Sequence, residues 1–190
     1  MTITNHQEKI LTRKELYERF CIPLNNKLIL DIGCGSRKFE GSIGLDSRNL
    51  SGVDIVTDIS KKLPFLNNTL DEIRANFVFE HSDNFIFLME EIYRILTPIG
   101  RVECRVPYWS SDSQWKDPTH HQVITEETFR YFSDDKWYGS DYGFNANYKI
   151  LHIHYNYYSG WWRYCPFRDW ARKHLINIVH SMDISLLAVK

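Results

Sequence analysis

LILDIGCG, residues 28–35, joins a short apolar run to a pair of glycines. An apolar run that ends in this way is typical of a buried strand in a parallel sheet. Open parallel sheets bind ligands at their carboxyl edge, where a Gly-x-Gly lets the backbone approach a ligand without an intervening Cβ. Gly33 and Gly35 therefore indicate a candidate ligand loop, although an ordinary glycine turn would have the same sequence.

Four further stretches repeat the strand pattern. One amphipathic helix is predicted over 83–96, N-capped by Ser82 or Asp83 and ended by Pro98 and Gly100. A strand, this helix and another strand in succession imply a right-handed crossover, so we predict an open, mostly parallel α/β sheet of the Rossmann-like type. The additional strands are predicted at SIGLD (42–46), VDIVTD (53–58), DEIRANFVF (71–79) and GRVECRVP (100–107).

The second half of the chain completes the sheet. Strands are predicted at 148–158 and 184–190, and the last is expected to run antiparallel, which gives about seven strands. Length and continuity favour one domain over residues 1–190. Its parts are a helical cover (1–26), a core of predicted strands (27–132) and an aromatic C-terminal part (133–190). Helices are predicted at 12–20, capped by Thr12, at 124–132, capped by Thr125, and at 166–180.

The connections between the first three strands are unusually short. Nine residues separate Ile32 from Ser42, and six separate Asp46 from Val53, whereas parallel crossovers usually need a dozen or more. We therefore expect few helices in the first half and a bare, apolar part of the sheet. The expected cover is the N-terminal helix, the aromatic C-terminal segment or a second subunit in a homodimer.

Composition restricts the classes of partner. The 23 basic residues balance 24 acidic ones, for a net charge of −1, so no overall field favours nucleic acid. Neither a membrane span nor a secretory apolar region is visible, which predicts a cytoplasmic protein. His152 and His154 alternate on one strand without a third ligand at recognisable spacing, so no metal site is assigned.

Two acids end the second and third strands. Asp46 can accept both hydroxyls of a ribose, or it can be a solvated loop acid. Asp58 and the following Ile59 can contact an adenine ring, although Asp58 can equally be a helix N-cap before Ser60. Lys38 occupies the third-glycine position of a dinucleotide fingerprint, which disfavours a nicotinamide-dependent oxidoreductase.

Five stretches of the chain share a family pattern: LILDIGCG, GLD, VTDISKKLPF, LDEIRANFVFEH and EEIYRILTPIGRVECRVP. Together they resemble the class I S-adenosylmethionine-dependent methyltransferases, in particular the small ubiquinone/menaquinone type. The likeness runs over about residues 27–132 in the same order. It implies S-adenosylmethionine as cofactor and S-adenosylhomocysteine as product. It also implies a donor site in which Asp31, Gly33, Cys34 and Gly35 hold the methionine part, Asp46 holds the ribose, Asp58 and Ile59 contact the adenine, and Asn76 and Phe77 face the amino-acid end.

Candidate bases lie in DPTHH (117–121), where Asp117 precedes His120 and His121, and at His81. An Asp near a His can fix the imidazole tautomer and raise its basicity, or these side chains can simply hold the loop. We therefore expect in-line methyl transfer to a small-molecule acceptor, with oxygen as the favoured atom. The alternative is a non-catalytic module that binds S-adenosylmethionine and uses its aromatic C-terminal part as a protein interface.

Overall fold

The computed structural model describes residues 10–133, 143 and 145–190, and one seven-stranded sheet organises them. In chain order the strands are β1 (Ile29–Ile32), β2 (Ile43–Asp46), β3 (Ile55–Val56), β4 (Leu70–Asn76), β5 (Leu96–Pro107), β6 (Tyr148–Tyr157) and β7 (Val179–Ala188). Across the sheet their order is β3-β2-β1-β4-β5-β7-β6. Only β7 runs antiparallel to its neighbours β5 and β6. The predicted fold class is confirmed.

Five α-helices lie in the described part of the chain: α1 (Arg13–Arg19), α2 (Phe85–Ile95), α3 (Asp112–Lys116), α4 (Glu126–Arg130) and α5 (Arg168–His174). Single 3-10 turns span Phe79–His81 and Gly160–Tyr164. Thr12 and Thr125 cap α1 and α4, as the sequence predicts. None of these helices is long and apolar enough to cross a bilayer.

Several predicted boundaries are wrong. Asn84 caps α2 by accepting from the Phe87 amide, whereas Asp83 is exposed and Ser82 ends the preceding 3-10 turn. The helix gives way to β5 at Leu96, before Pro98, because the chain pairs with Leu70 of β4 from that residue. β3 has two residues rather than six. The helix predicted over 166–180 ends at His174, since β7 already starts at Val179.

The first half has the predicted scarcity of helices, but its bare sheet face is polar rather than apolar. Between Ile32 and Leu70, which are fully described, the chain contains no helix. Side chains of β4 and β5 alternate, so that Ile73 and Val102 enter the core while Arg74 and Glu103 lie on the opposite face. Such alternation is typical of a sheet with one face toward water. This face therefore needs no second subunit to cover it.

Ion pairs and hydrogen bonds link the polar side chains of that face. Arg105 of β5 binds Asp183 of β7 through both Nε and Nη2, and Asn156 of β6 donates to the same carboxylate. Ser185 donates to Glu103 at 2.7 Å. The charged groups on the open face thus have partners across strands, which lowers the cost of their partial burial.

A buried arginine connects the C-terminal part to the rest of the fold. Arg172 of α5 is 9% exposed and binds Glu126 of α4 at 2.7 Å. It also donates to the Tyr108 hydroxyl at 3.2 Å and stacks over the Tyr155 ring at 4.2 Å. One guanidinium therefore joins α5, α4 and the end of β5.

Candidate active site

The loop after β1 has two glycines in the left-handed region. Gly33 has φ +65° and Gly35 has φ +56°. A Cβ on Gly33 would lie 2.5 Å from Val78 Cγ2, whereas no atom lies within 4 Å of a Cβ position on Gly35. The first glycine therefore permits close packing against the segment after β4, and the second leaves open space that a ligand can occupy.

Strand β2 holds this loop by hydrogen bonds. The Gly33 and Cys34 amides donate to the Leu45 carbonyl at 2.7 and 3.2 Å. The Gly35 amide donates to Asp46 Oδ2 at 3.0 Å, and the Arg48 amide donates to Asp46 Oδ1 at 2.9 Å. Arg48 Nε also donates to Oδ1 at 3.4 Å. A carboxylate has about four acceptor positions, so buried Asp46 keeps one on Oδ2 for a further donor such as a ribose hydroxyl.

Asp31 fixes the remainder of the connection to β2. Its carboxylate is buried and accepts from the Phe39 amide at 2.8 Å. Burial raises the pKa of Asp31 above its usual value. The guanidinium carbon of Arg74 lies 3.5 Å from the centroid of the Phe39 ring, in a cation–π contact. The loop is thus closed without the helix that a Rossmann-like domain usually has here.

A cavity of about 510 Å³ opens beside the loop and extends over the polar sheet face. Burial raises the pKa of the Cys34 thiol to about 11, so this cysteine is a neutral lining group rather than a nucleophile. The cavity brings together four of the predicted donor residues. It is lined by Asp31, Gly33, Cys34, Arg37, Phe39, Arg74, Ala75, Asn76, Glu103, Cys104, Arg105, His152 and Asp183.

The other predicted donor residues lie outside this lining. Asp46 contacts the loop by accepting a hydrogen bond from the Gly35 amide. Asp58 is exposed and accepts from the Ser60 amide at 2.9 Å, a hydrogen bond that lowers the pKa of Asp58. A turn rather than a helix follows it, so the N-cap alternative is wrong. Ile59 packs partly against the core, and Phe77 donates its amide to the Arg105 carbonyl at 2.8 Å.

A second group of side chains gathers just after β4, close to the glycine loop. Glu80, His81 and His120 each offer one ligand atom, and these atoms lie within 4.8 Å of one another. Glu80 is fully buried, and neither of its carboxylate oxygens accepts a hydrogen bond from another described residue. Burial raises the pKa of Glu80 to about 7. Sequence analysis missed Glu80 because a Glu before a His gives no sign of burial.

Hydrogen bonds orient both imidazoles of this group. His81 Nδ1 lies 3.0 Å from Thr119 Oγ1, which donates to Asp117 Oδ1 at 2.6 Å. His120 Nδ1 lies 2.8 Å from the Gln114 carbonyl. Asp117 Oδ2 is 3.9 Å from His120 Nε2, too far for a hydrogen bond. Asp117 therefore orients His81 through Thr119 instead of orienting His120 directly.

The predicted base residues do not all converge. His121 is exposed, and its Nε2 lies 3.5 Å from Asp83 Oδ1. Its backbone amide nevertheless donates to the Glu80 carbonyl at 2.8 Å and so holds the 117–121 loop against the turn after β4. The structure thus groups His81, His120, Asp117 and Glu80, and it places the His121 imidazole at the surface.

An aromatic cavity of about 360 Å³ lies against α3. Trp115 of α3 lines it, one residue after Gln114, whose carbonyl holds His120. Trp109 contributes a second indole, and the Trp115 Nε1 donates to the Trp109 carbonyl at 3.2 Å. The remaining lining residues are Ser110, Asp112, Lys116, Ile176 and Asn177.

Comparisons with known proteins agree with this geometry. A family model described as a methyltransferase domain matches residues 6–149, more than half of the chain. A comparison with curated proteins gave no significant match. Similar solved structures include a SAM-dependent methyltransferase from Archaeoglobus fulgidus, at 19% identity, 92% coverage of both chains and a TM-score of 0.58. An S-adenosylmethionine-dependent methyltransferase from Mesorhizobium loti has 11% identity, covers 93% of this chain and 98% of its own, and has a TM-score of 0.54.

The cyclase SpnF is also similar, at 13% identity, 93% coverage of this chain, 80% of its own and a TM-score of 0.57. The shared fold alone therefore does not fix a reaction, and the family match provides the assignment. A glycine loop after β1, an acid at the end of β2 and the 3-2-1-4-5-7-6 strand order all accompany that match. The chain therefore belongs to the methyltransferase-domain family and is a class I methyltransferase that uses S-adenosylmethionine.

Proposed function

We propose that the protein methylates a hydroxyl oxygen of a small, flat molecule. The observation that supports this proposal is the position of Glu80, His81 and His120. Glu80 and His81 come shortly after Val78, the residue that packs on Gly33, and His120 lies beside them. Hydroxyl acceptors need a group that takes up or stabilises a proton during transfer, whereas an amine can react by positioning alone. Two histidines with oriented rings beside the donor loop therefore favour a hydroxyl over an amine as the methyl acceptor.

The donor site derives from the glycine loop and β2. S-Adenosylmethionine supplies an activated methyl group on a sulfonium, and the transfer is an in-line displacement. The open space above Gly35 fits close approach of the methionine part to the backbone. Asp46 Oδ2 keeps an acceptor position for a ribose hydroxyl. Asn76 lines the cavity of about 510 Å³ together with Gly33. Asp58 with Ile59 and Phe77 are proposed as the adenine and amino-acid-end contacts on the resemblance alone.

On the acceptor side, His120 is the proposed base. Its Nδ1–H donates to the Gln114 carbonyl, which leaves the Nε2 lone pair to accept a proton. His81 is fixed in the same way by Thr119 and Asp117, and it supports His120 at a ring distance of 4.7 Å. The aromatic cavity lined by Trp109 and Trp115 is the proposed binding place of the acceptor ring.

Replacing Asp46 by alanine is expected to weaken binding of S-adenosylmethionine by about 1–3 kcal/mol, because the ribose loses a charged acceptor and Gly35 loses its anchor. Isothermal titration calorimetry measures the change. Glu40→Ala removes an exposed acid from the connection between β1 and β2 and serves as the control. Equal affinities of Asp46→Ala and the parent protein would remove Asp46 from the donor site.

His120→Ala is expected to lower kcat by about 10²-fold or more while donor affinity stays constant, the usual scale for loss of a positioned base. His121→Ala should lower kcat far less, because its imidazole faces Asp83 at the surface. Initial rates at saturating donor compare the two variants. The same kcat for both would return the 117–121 loop to a structural role.

Identification of the acceptor tests the proposal as a whole. Metabolite pools are incubated with methyl-labelled S-adenosylmethionine, and tagged products are located by mass spectrometry. Label on the oxygen of a ring-bearing small molecule supports the proposal, and label on nitrogen or carbon contradicts it. Donor binding without acceptor-dependent S-adenosylhomocysteine would instead favour the non-catalytic module.

A further inference from the structure

We propose that Glu80, His81 and His120 form a binding site for one divalent transition-metal ion of the Zn²⁺ or Ni²⁺ kind. The sequence alone assigns no metal site, because His120 lies 39 residues after the adjacent pair Glu80 and His81. The fold brings the 3-10 turn Phe79–His81 against the 117–121 loop. Metal binding is a property of the folded chain and does not depend on the proposed reaction.

The first argument is the state of Glu80. A carboxylate with no exposed surface is costly unless it is paired or coordinates a metal. In the part of the chain that the structure describes, Glu80 has no cationic partner, and neither oxygen accepts from another residue. Two imidazoles, of His81 and His120, each have a ring nitrogen within 4.8 Å of a Glu80 oxygen. An ion between them would give one of these oxygens a ligand contact.

The second argument is the orientation of the imidazoles. Metal-binding histidines almost always donate the second ring N–H to a carbonyl or a carboxylate-linked group. His120 Nδ1 has the Gln114 carbonyl at 2.8 Å, and His81 Nδ1 has Thr119 Oγ1 at 3.0 Å. Thr119 in turn donates to Asp117. Both rings are therefore held in the tautomer that leaves Nε2 without a proton.

The third argument is geometry. Around a tetrahedral ion with metal–nitrogen bonds of about 2.0 Å, neighbouring ligand atoms are about 3.3 Å apart. The three atoms here lie within 4.8 Å, so each must move by roughly an ångström. Two backbone bonds, from the His121 and Gln122 amides to the Glu80 carbonyl at 2.8 and 3.0 Å, already hold the two segments together. Side-chain rotation is sufficient to close the site.

The donor set identifies the class of ion. Two nitrogens and one carboxylate suit borderline divalent metals, whereas Mg²⁺ and Ca²⁺ prefer all-oxygen sites. Three protein ligands leave coordination positions open, as in catalytic metal sites. Such an ion would bind the acceptor hydroxyl and lower its pKa, a role that rests on the proposed function. In the metal-bound form the hydroxyl proton would pass to solvent water, and the ion, not the His120 lone pair, would activate the oxygen.

The test uses the full chain after dialysis against a chelator. Zn²⁺ and Ni²⁺ are titrated by calorimetry, with Mg²⁺ and Ca²⁺ for comparison, and bound metal is counted by mass spectrometry. We expect one ion per chain and at least hundredfold weaker binding of Mg²⁺ and Ca²⁺. Glu80→Gln and His120→Ala should each weaken binding at least tenfold. Thr119→Val, which removes the hydroxyl that orients His81, should weaken it by about 10–100-fold.

His174→Ala provides the matched control, since His174 is exposed on α5 and stacks on Trp170 away from the site. Circular dichroism identifies any variant that fails to fold, and the remaining ligand variant then decides the test. The proposal is overturned by absence of saturable binding, by unchanged binding in both ligand variants, or by equal loss in His174→Ala. Full methyl transfer by the chelated enzyme, without metal binding, would overturn the metal site and leave the proposed function standing.

Discussion

Replacing Gly33 by alanine is expected to destabilise the fold by about 2–5 kcal/mol and to abolish donor binding. The new Cβ would meet Val78 Cγ2 at 2.5 Å, and a non-glycine residue at φ +65° costs about 1–2 kcal/mol by itself. Overpacking against Val78 adds about 1–3 kcal/mol. Urea denaturation measures the stability, and calorimetry with S-adenosylmethionine measures the binding.

Gly35→Ala provides the matched comparison, because Gly35 has a similar φ of +56° but open space at the Cβ position. It should lose only the backbone term, about 1–2 kcal/mol, and still lose donor affinity because the methyl group fills the proposed cradle. Equal destabilisation by the two substitutions would show that the contact with Val78 is unimportant.

Arg172→Met is expected to destabilise the protein by about 3–5 kcal/mol, the cost of removing one partner of a buried ion pair. Glu126 would lose its cation at 2.7 Å, and the buried Tyr108 hydroxyl would lose a donor. Thermal and chemical unfolding measure the effect. Lys173→Met, an exposed neighbour on α5, is the control.

The double variant Arg172→Met, Glu126→Gln separates charge from packing. Removing both charges should recover part of the lost stability, because no unpaired carboxylate then remains. A loss in Arg172→Met no larger than that in Lys173→Met would mean that α5 is held by other contacts.

Apolar runs that end at glycines or acids predict most of the sheet. LILDI, SIGLD and the amphipathic helix before GRVECRVP imply parallel strands in a right-handed arrangement, and the structure confirms that class. Local hydrogen-bond patterns also predict the Thr12 and Thr125 caps. These features depend on neighbours in sequence, so the sequence alone is sufficient to find them.

The errors arise where distant contacts decide. Glu72 and Arg74 already alternate with Ile73 and Ala75 in the sequence, and this period of two was a usable sign of an open polar face. The length of α5 could not be foreseen, because the chain from Val179 onward forms β7 and pairs with β5 and β6. Burial of Glu80 likewise depends on the 117–121 loop folding over the turn. Propensity contains no information on such contacts.

The amides of the glycine loop are fixed by Leu45 and Asp46 of β2 before any donor arrives. Folding has therefore already met the entropic cost of ordering this loop, and the donor encounters a rigid surface. A substitution that destabilises β2, even one far from any ligand atom, is expected to lower the affinity for S-adenosylmethionine. Conformational stability and donor recognition in this enzyme thus share a single strand.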